Sequence, residues 1–181
     1  MGEHMLTLAR ALQSEFDIIL AAPDASGLLQ CASGHGLAIK SIGEMASFEN
    51  WLRSGSVSLL HVHAGIGWEG HEIARAGVAC RIPVIRTEHL PYLLTDDVQK
   101  ERYRQERALL AHHIVVSEAS RLSFESNGVA ADRITVVRNG IFALEAMGGE
   151  KVLGSELGLA GKKVLLTAAR FPGQKDHVSL L

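Results

Sequence analysis

Cysteines, aromatic residues and long apolar runs are all scarce in this 181-residue sequence. Cys31 and Cys80 are the only cysteines, and neither lies in a CxxC or Cys/His pattern of the kind that holds zinc. Two scattered thiols in a chain of this size favour a reducing compartment, so we expect a cytoplasmic protein. Every apolar run stops well short of the ~20 residues that span a bilayer. The amino terminus also lacks the basic and apolar regions of a signal peptide.

An excess of positive charge is also missing. Lys and Arg together number 18 and Asp and Glu 20, which gives a net charge of −2. Surfaces that attract nucleic acid or anionic membranes are normally basic. Nucleic acid is therefore excluded as a partner, and nothing in the segment supports peripheral membrane contact. Hydrophobic residues make up 47% of the chain, which is enough for a sizeable core and is not the composition of a disordered protein.

Short apolar runs alternate with helical patterns along the chain. Runs typical of buried strands cover 17–22, 37–42, 56–65, 83–87, 113–117, 133–137 and 163–169. Helical patterns cover 3–14, the residues around 48–52, 68–80, a stretch from 95, and a segment that Ser117 caps and Asn127-Gly128 ends. This alternation predicts an α/β fold with a parallel sheet flanked by helices on both faces. Ligands bind beyond the carboxyl ends of the strands in such sheets, so function is expected in the loops that follow them.

His61 and His63 lie two residues apart on one predicted strand and therefore point to the same face of the sheet. Such a pair at the carboxyl end of a strand is a familiar metal-binding arrangement, but a metal site also needs further ligands that converge on it. One interpretation is a metal-dependent hydrolase. The other is that one histidine packs internally while its partner lines a polar cleft. Further candidate histidines are His71, His89, His112 and His113.

Two other segments carry polar groups at the ends of predicted strands. His89 follows a strand directly in PVIRTEHLPYLL, where its ring can donate a hydrogen bond to an anionic or hydroxyl ligand. Glu88 ranks lower because strand alternation points it to the other face. Arg170 and Lys175 flank a Pro-Gly loop before a predicted helix start. A guanidinium fork, a lysine charge and a helix amino terminus together favour a phosphate site.

Five segments, taken in order, resemble the sequence pattern of family 4 (group 1) glycosyltransferases of the GT-B fold. MGEHMLTLARAL resembles the opening GG-x-E-x-x-x-x-L-A-x-A-L, LLHVHAG resembles the strand DIVHVH, and PVIRTEHLPYLL is similar to the strand-plus-histidine segment. HHIVVSEASRLSFESNGVAADRITVVRNGI resembles the end of the first domain, and TAARFPGQKDHVSLL resembles the start of the second. Together they span nearly the whole chain.

The resemblance implies a retaining glycosyltransferase with two Rossmann-like domains. Its donor would be a nucleotide sugar, and its acceptor a polysaccharide, a lipid or a small molecule. Residues 1–142 would form the acceptor-side domain, residues 143–162 a connector, and residues 163–181 the start of the donor-binding domain. A non-catalytic module that binds a sugar or a nucleotide is the remaining alternative.

The resemblance also implies roles for individual residues. His89 matches the first-domain histidine that lies near the transferred sugar, and it is the implied catalytic residue. His63 and Glu88 are candidates for the acceptor cleft. The residues implied in binding the donor diphosphate are Gly2, Arg170 and Lys175. Since preplaced cations would stabilise the departing diphosphate, no metal or other cofactor is expected.

Three departures from the family pattern matter. Met1 stands where the first glycine of the loop is expected, so the strand before that loop is missing from this sequence. The first strand is central in such a sheet, and we expect a gap there. KDH replaces KG after Lys175, which is a mild change. The paired glutamates of the donor domain would lie beyond Leu181, so we expect a fragment that is inactive alone.

Overall fold

A computed structural model of the chain describes residues 2–55, 57–65, 69–140, 155–159 and 161–164. The chain divides into two compact units, residues 1–140 and 141–181. In the second unit a hydrogen bond from the Gly158 N–H to the Ser155 carbonyl (3.2 Å) closes a helical turn. Lys163 and Val164, at the start of the predicted strand 163–169, have no strand pairing, and the rest of that strand lies outside the described residues.

Helices and strands alternate along the first unit, as the sequence predicts. The elements are α1 (Gly2–Leu12), β1 (Ile19–Ala22), α2 (Leu28–Gly34), β2 (Ala38–Ser41), α3 (Met45–Arg53), β3 (Leu60–Ala64), α4 (His71–Ala79), β4 (Val84–Glu88), α5 (Asp97–Arg107), β5 (His112–Val115), α6 (Glu118–Ser126) and β6 (Ile134–Val136). Within the described part of the chain, no helix is long and apolar enough to cross a membrane.

The described strands form two parallel sheets. One contains β1 and β2, and the other has the order β3-β4-β5-β6. This break agrees with the predicted gap in the sheet. Side chains nevertheless pack across it, because Ala21 of β1 and Leu60 of β3 both pack against the buried cluster that contains Phe48 and Leu52 of α3. The α/β class and the helix-flanked parallel arrangement are confirmed.

Helix α6 begins and ends where its sequence signals predict. The Ser117 hydroxyl accepts a hydrogen bond from the Ser120 N–H (3.1 Å), which satisfies a donor in the first turn. At the other end Gly128 has a φ of 83°, a left-handed conformation that glycine adopts without steric cost. The Val129 N–H then donates to the Phe124 carbonyl (3.1 Å), and both side chains are buried in one cluster. These contacts form a helix stop of the Schellman type.

Replacing Gly77 with alanine is expected to destabilise the first unit by about 1–3 kcal/mol, the usual cost of overpacking. A Cβ at this position of α4 would lie 2.7 Å from Leu60 Cδ2 and 2.8 Å from Val84 Cγ2, both on the sheet beneath. Gly34 in α2 is the matched control, since its added Cβ would meet nothing within 4 Å. Urea unfolding should show a loss only for Gly77→Ala, and equal stability of the two variants would contradict this packing.

Candidate functional site

The carboxyl ends of β3 and β4 bring two histidines together. The strands are parallel neighbours in which His63 is in register with Thr87, and Ala64 with Glu88. His89 follows β4 directly, and its N–H donates to the Ala64 carbonyl (2.9 Å). Because side chains alternate along a strand, His63 and His89 lie on the same face at the same edge of the sheet.

Four imidazoles meet on this face, and we call them the histidine cluster: His4, His61, His63 and His89. His63 Nδ1 and His89 Nε2 are 3.1 Å apart and share a hydrogen bond. The His61 ring lies 4.2 Å from the His63 ring, between centroids. His4, in the first turn of α1, places its ring 4.8 Å from that of His89 and 5.5 Å from that of His63. His61 Nε2 also hydrogen-bonds with Thr87 Oγ1 (2.7 Å).

The cluster is uncharged at neutral pH. Burial, followed by repulsion from neighbouring histidines, lowers the pKa of His61 to about 4 and that of His63 to about 2. Burial and the proximity of His4 likewise lower the pKa of His89 to about 4. The pKa of His4 is also lowered, first by burial. Each neutral ring has one N–H donor and one lone pair, so the cluster can both donate and accept hydrogen bonds.

The opposite face of β4 carries a buried charged network. Arg86 is 0% exposed and Glu88 1%, and Arg86 Nε lies 2.8 Å from Glu88 Oε1. The Tyr103 hydroxyl of α5 donates to the same carboxylate oxygen (3.0 Å), and Arg86 Nη1 donates to His71 Nδ1 (3.4 Å). Burial raises the pKa of Glu88, although Arg86 opposes that shift. The structure thus places Glu88, a candidate for the acceptor cleft, inside the core.

The other candidate histidines, His71, His112 and His113, do not join the cluster. His71 and His113 are buried on the Arg86 side of the sheet, and His112 Nε2 hydrogen-bonds with Thr135 Oγ1 of β6 (2.8 Å). Among the residues predicted to bind the donor diphosphate, Gly2 is the first residue of α1. Arg170 and Lys175 lie outside the described residues.

Sequence reasoning did not select the His4 side chain. At the start of the first helix it selected only Gly2, as an implied contact of the donor diphosphate. No local signal identifies this side chain, because its approach to His63 and His89 depends on how α1 packs in the folded unit. Strand position did predict that His63 and His89 would each lie at the carboxyl end of a strand.

The sequence profile that describes glycosyltransferase family 4 matches residues 1–142. This chain belongs to glycosyltransferase family 4. No curated protein sequence matches it significantly. The matched region ends within two residues of the end of the first compact unit (residues 1–140). All four residues of the histidine cluster lie inside this region.

Solved structures resemble this family 4 chain in fold. Anabaena HepE in complex with UDP-glucose has a TM-score of 0.72 at 14% identity, over 88% of this chain and 46% of that one. HepE in complex with UDP and glucose has a TM-score of 0.68 at 14% identity, over 88% and 47%. The S. aureus MnaA–UDP structure has a TM-score of 0.59 at 14% identity, over 83% and 48%. The chain spans about half the length of these structures, and the likeness identifies its fold as a GT-B amino-terminal domain.

Proposed function

We propose that this chain is the acceptor-side part of a retaining glycosyltransferase that uses a nucleotide sugar as its donor. The acceptor would be a polysaccharide, a lipid or a small molecule. The observation that carries the proposal is the family 4 match over residues 1–142. HepE was solved with UDP-glucose and MnaA with UDP, which supports a nucleotide sugar as the donor class. The cytoplasmic location remains a prediction from cysteine usage.

His89 is the proposed catalytic residue. It is half-buried at the carboxyl end of β4, where α/β sheets bind their ligands. Its neutral ring can donate a hydrogen bond to a hydroxyl of the transferred sugar or to an oxygen that gains negative charge. The hydrogen bond with His63 Nδ1 (3.1 Å) orients the His89 ring, and the hydrogen bond from the His89 N–H to the Ala64 carbonyl (2.9 Å) fixes the backbone. His63 therefore acts as a positioning residue beside the acceptor cleft.

Gly2, Arg170 and Lys175 are the proposed contacts of the donor diphosphate. Departure of a nucleoside diphosphate builds negative charge on its oxygens, and preplaced cations stabilise that charge in the transition state. The Arg170 guanidinium can bind two oxygens at once, whereas the Lys175 ammonium acts as a point charge. Transfer by this mechanism requires no metal ion.

The other functions have less support. A hydrolase whose metal is held by the pair His61 and His63 has less support, because the group of three potential metal ligands that the described residues form includes His63 but not His61. A non-catalytic binding module would share the fold. It would differ in consuming no nucleotide sugar with any acceptor.

His89→Ala is expected to lower the transfer rate by about 100-fold, the usual cost of removing one donor to developing charge. The rate should be measured on the full-length protein, using a panel of nucleotide sugars. His35→Ala is the matched control, because His35 is exposed at the end of α2 and lies outside the histidine cluster. The far-ultraviolet circular dichroism of both variants should match the parent. Full activity of a folded His89→Ala protein would refute the assignment.

Arg170→Ala is expected to lower turnover by about 100-fold or more, because it removes charge stabilisation from the leaving diphosphate. Arg170→Lys should retain part of the rate, since it keeps the charge and loses the bidentate fork. Both variants are to be assayed with several nucleotide-sugar donors. Unchanged turnover of Arg170→Ala with all of them would remove this residue from the donor site.

A further inference from the structure

We propose that His4, His63 and His89 form a binding site for one transition-metal ion of the zinc, nickel, cobalt or copper type. Each residue offers one ring nitrogen, and the three nitrogens all lie within 4.8 Å of one another. All three side chains are half-buried, so an ion can reach them. The site is a property of this chain's own fold, and it does not depend on the proposed transferase activity.

The spacing of the nitrogens fits a tetrahedral ion. Zinc–nitrogen bonds are about 2.0–2.1 Å long, which places two ligands of a tetrahedral site about 3.3 Å apart. His63 Nδ1 and His89 Nε2 are already 3.1 Å apart. The widest separation, 4.8 Å at most, requires a closure of about 1.5 Å to reach the tetrahedral spacing. Rotation of the half-buried His4 side chain in the first turn of α1 can supply it.

Neighbouring contacts hold two of the three ligands in place. His89 is fixed at its backbone by the bond from its N–H to the Ala64 carbonyl (2.9 Å). The His63 ring lies against the His61 ring, with 4.2 Å between centroids, which limits its rotation. Two ligands from adjacent strand ends and one from a helix thus converge without movement of the backbone.

The ligand chemistry selects the class of ion. Three imidazoles and no carboxylate suit zinc, copper, nickel and cobalt, whereas magnesium and calcium prefer oxygen ligands. His63 Nδ1 and His89 Nε2 share one hydrogen bond, so one of these two nitrogens carries a proton. For both nitrogens to bind the ion, that proton must be on the other nitrogen of its ring. This is a change of tautomer that releases no proton. Three protein ligands leave a fourth position for water or an oxygen of a bound molecule.

Zinc binding to the purified chain tests the proposal. The chain should be made without a histidine tag, stripped of metal, and titrated with zinc chloride against a chromophoric chelator. We expect one equivalent of zinc to bind and magnesium not to compete. Zinc binding should weaken by at least roughly 10–100-fold in each of His4→Ala, His63→Ala and His89→Ala. Loss of a residue that only supports a metal ligand already has an effect of that size, and these three residues are the ligands themselves.

His35→Ala is the control, because His35 is exposed at the end of α2, and its zinc affinity should equal that of the parent. If His63→Ala does not fold, zinc binding is measured on His4→Gln and His89→Gln instead. A zinc-induced rise in the melting temperature of the parent, absent from these two variants, would support the site. Absence of stoichiometric zinc binding would overturn the proposal, as would variants of His4 and His89 that bind zinc as tightly as His35→Ala.

Discussion

Glu88→Ala should destabilise the first unit by about 3–5 kcal/mol, the usual effect of removing one partner from a buried ion pair. The substitution leaves the Arg86 guanidinium, which is 0% exposed, without the carboxylate that lies 2.8 Å from its Nε. It also removes the acceptor of the Tyr103 hydroxyl (3.0 Å). The Arg86 guanidinium and the Tyr103 hydroxyl would then be buried without these contacts. Burial of a polar or charged group destabilises the folded state when no contact replaces its hydration.

Urea unfolding at neutral pH measures this effect. Glu49→Ala is the matched control, because Glu49 and Arg53 form an ion pair on the surface of α3 (2.9 Å). Exposed pairs contribute only about 0–1 kcal/mol. The double variant Arg86→Met/Glu88→Leu should recover much of the loss, since apolar replacement of both partners avoids the buried charge. Equal stabilities of Glu88→Ala and Glu49→Ala would show that the buried network does not contribute as its geometry indicates.

Stability should also fall steeply as the pH is lowered from about 6.5 to about 4. The folded-state pKa values of His61, His89 and His113 are all lowered from 6.5 to about 4, chiefly by burial. That of His63 is lowered to about 2. In this window the unfolded chain binds protons that the folded chain excludes, so acid favours unfolding. Each such group contributes up to about 1.4 kcal/mol per pH unit. The contribution of His89 is smaller, because its ring is only half-buried.

The pH dependence that Glu88 contributes to stability has the opposite sign. Burial raises the pKa of Glu88. Its contribution to stability is therefore present below the pKa of the unfolded state and is lost as the pH rises through the pKa of the folded state. One carboxyl group does not offset four histidines between pH 6.5 and pH 4. The net slope should therefore remain positive, with greater stability at higher pH.

Chemical unfolding in the presence of EDTA, at several pH values from 7 to 4.5, tests this dependence without a contribution from bound metal. His61→Gln keeps a polar partner for Thr87 and removes one titrating ring, so its slope should be smaller by up to about 1.4 kcal/mol per pH unit. A free energy of unfolding that is the same at pH 7 and at pH 4.5 would contradict the buried neutral state of the cluster.

Most of the fold was predictable because apolar runs and helix signals are local. The errors lie at element ends. The run at 56–65 predicts a long strand, but β3 covers only Leu60–Ala64. Its pairing begins where the Leu60 N–H reaches the Pro83 carbonyl (2.9 Å). Hydrophobicity alone cannot show where a neighbouring strand starts. The same limit explains why β4 continues to Glu88, one residue beyond the predicted end.

The site was predictable only in part. His63 and His89 could each be placed at the carboxyl end of a strand, but their hydrogen bond was not predicted. The contact of His4 with both rings could not be predicted, because it depends on the position of α1. Arg86 lies within a strand that the sequence marks as apolar, and only the structure reveals the carboxylate and the tyrosine that compensate its charge.

The consumption of nucleotide sugars tests the central claim most directly. The full-length protein should be incubated with a panel of nucleotide sugars and sugar or lipid acceptors, and the released nucleoside diphosphate and the anomeric configuration of the product should be measured. We expect acceptor-dependent release of the nucleoside diphosphate, retention of configuration, and loss of the activity in His89→Ala but not in His35→Ala. Absence of release with every donor and acceptor, from a folded protein, would contradict the assignment as a glycosyltransferase and favour a binding module.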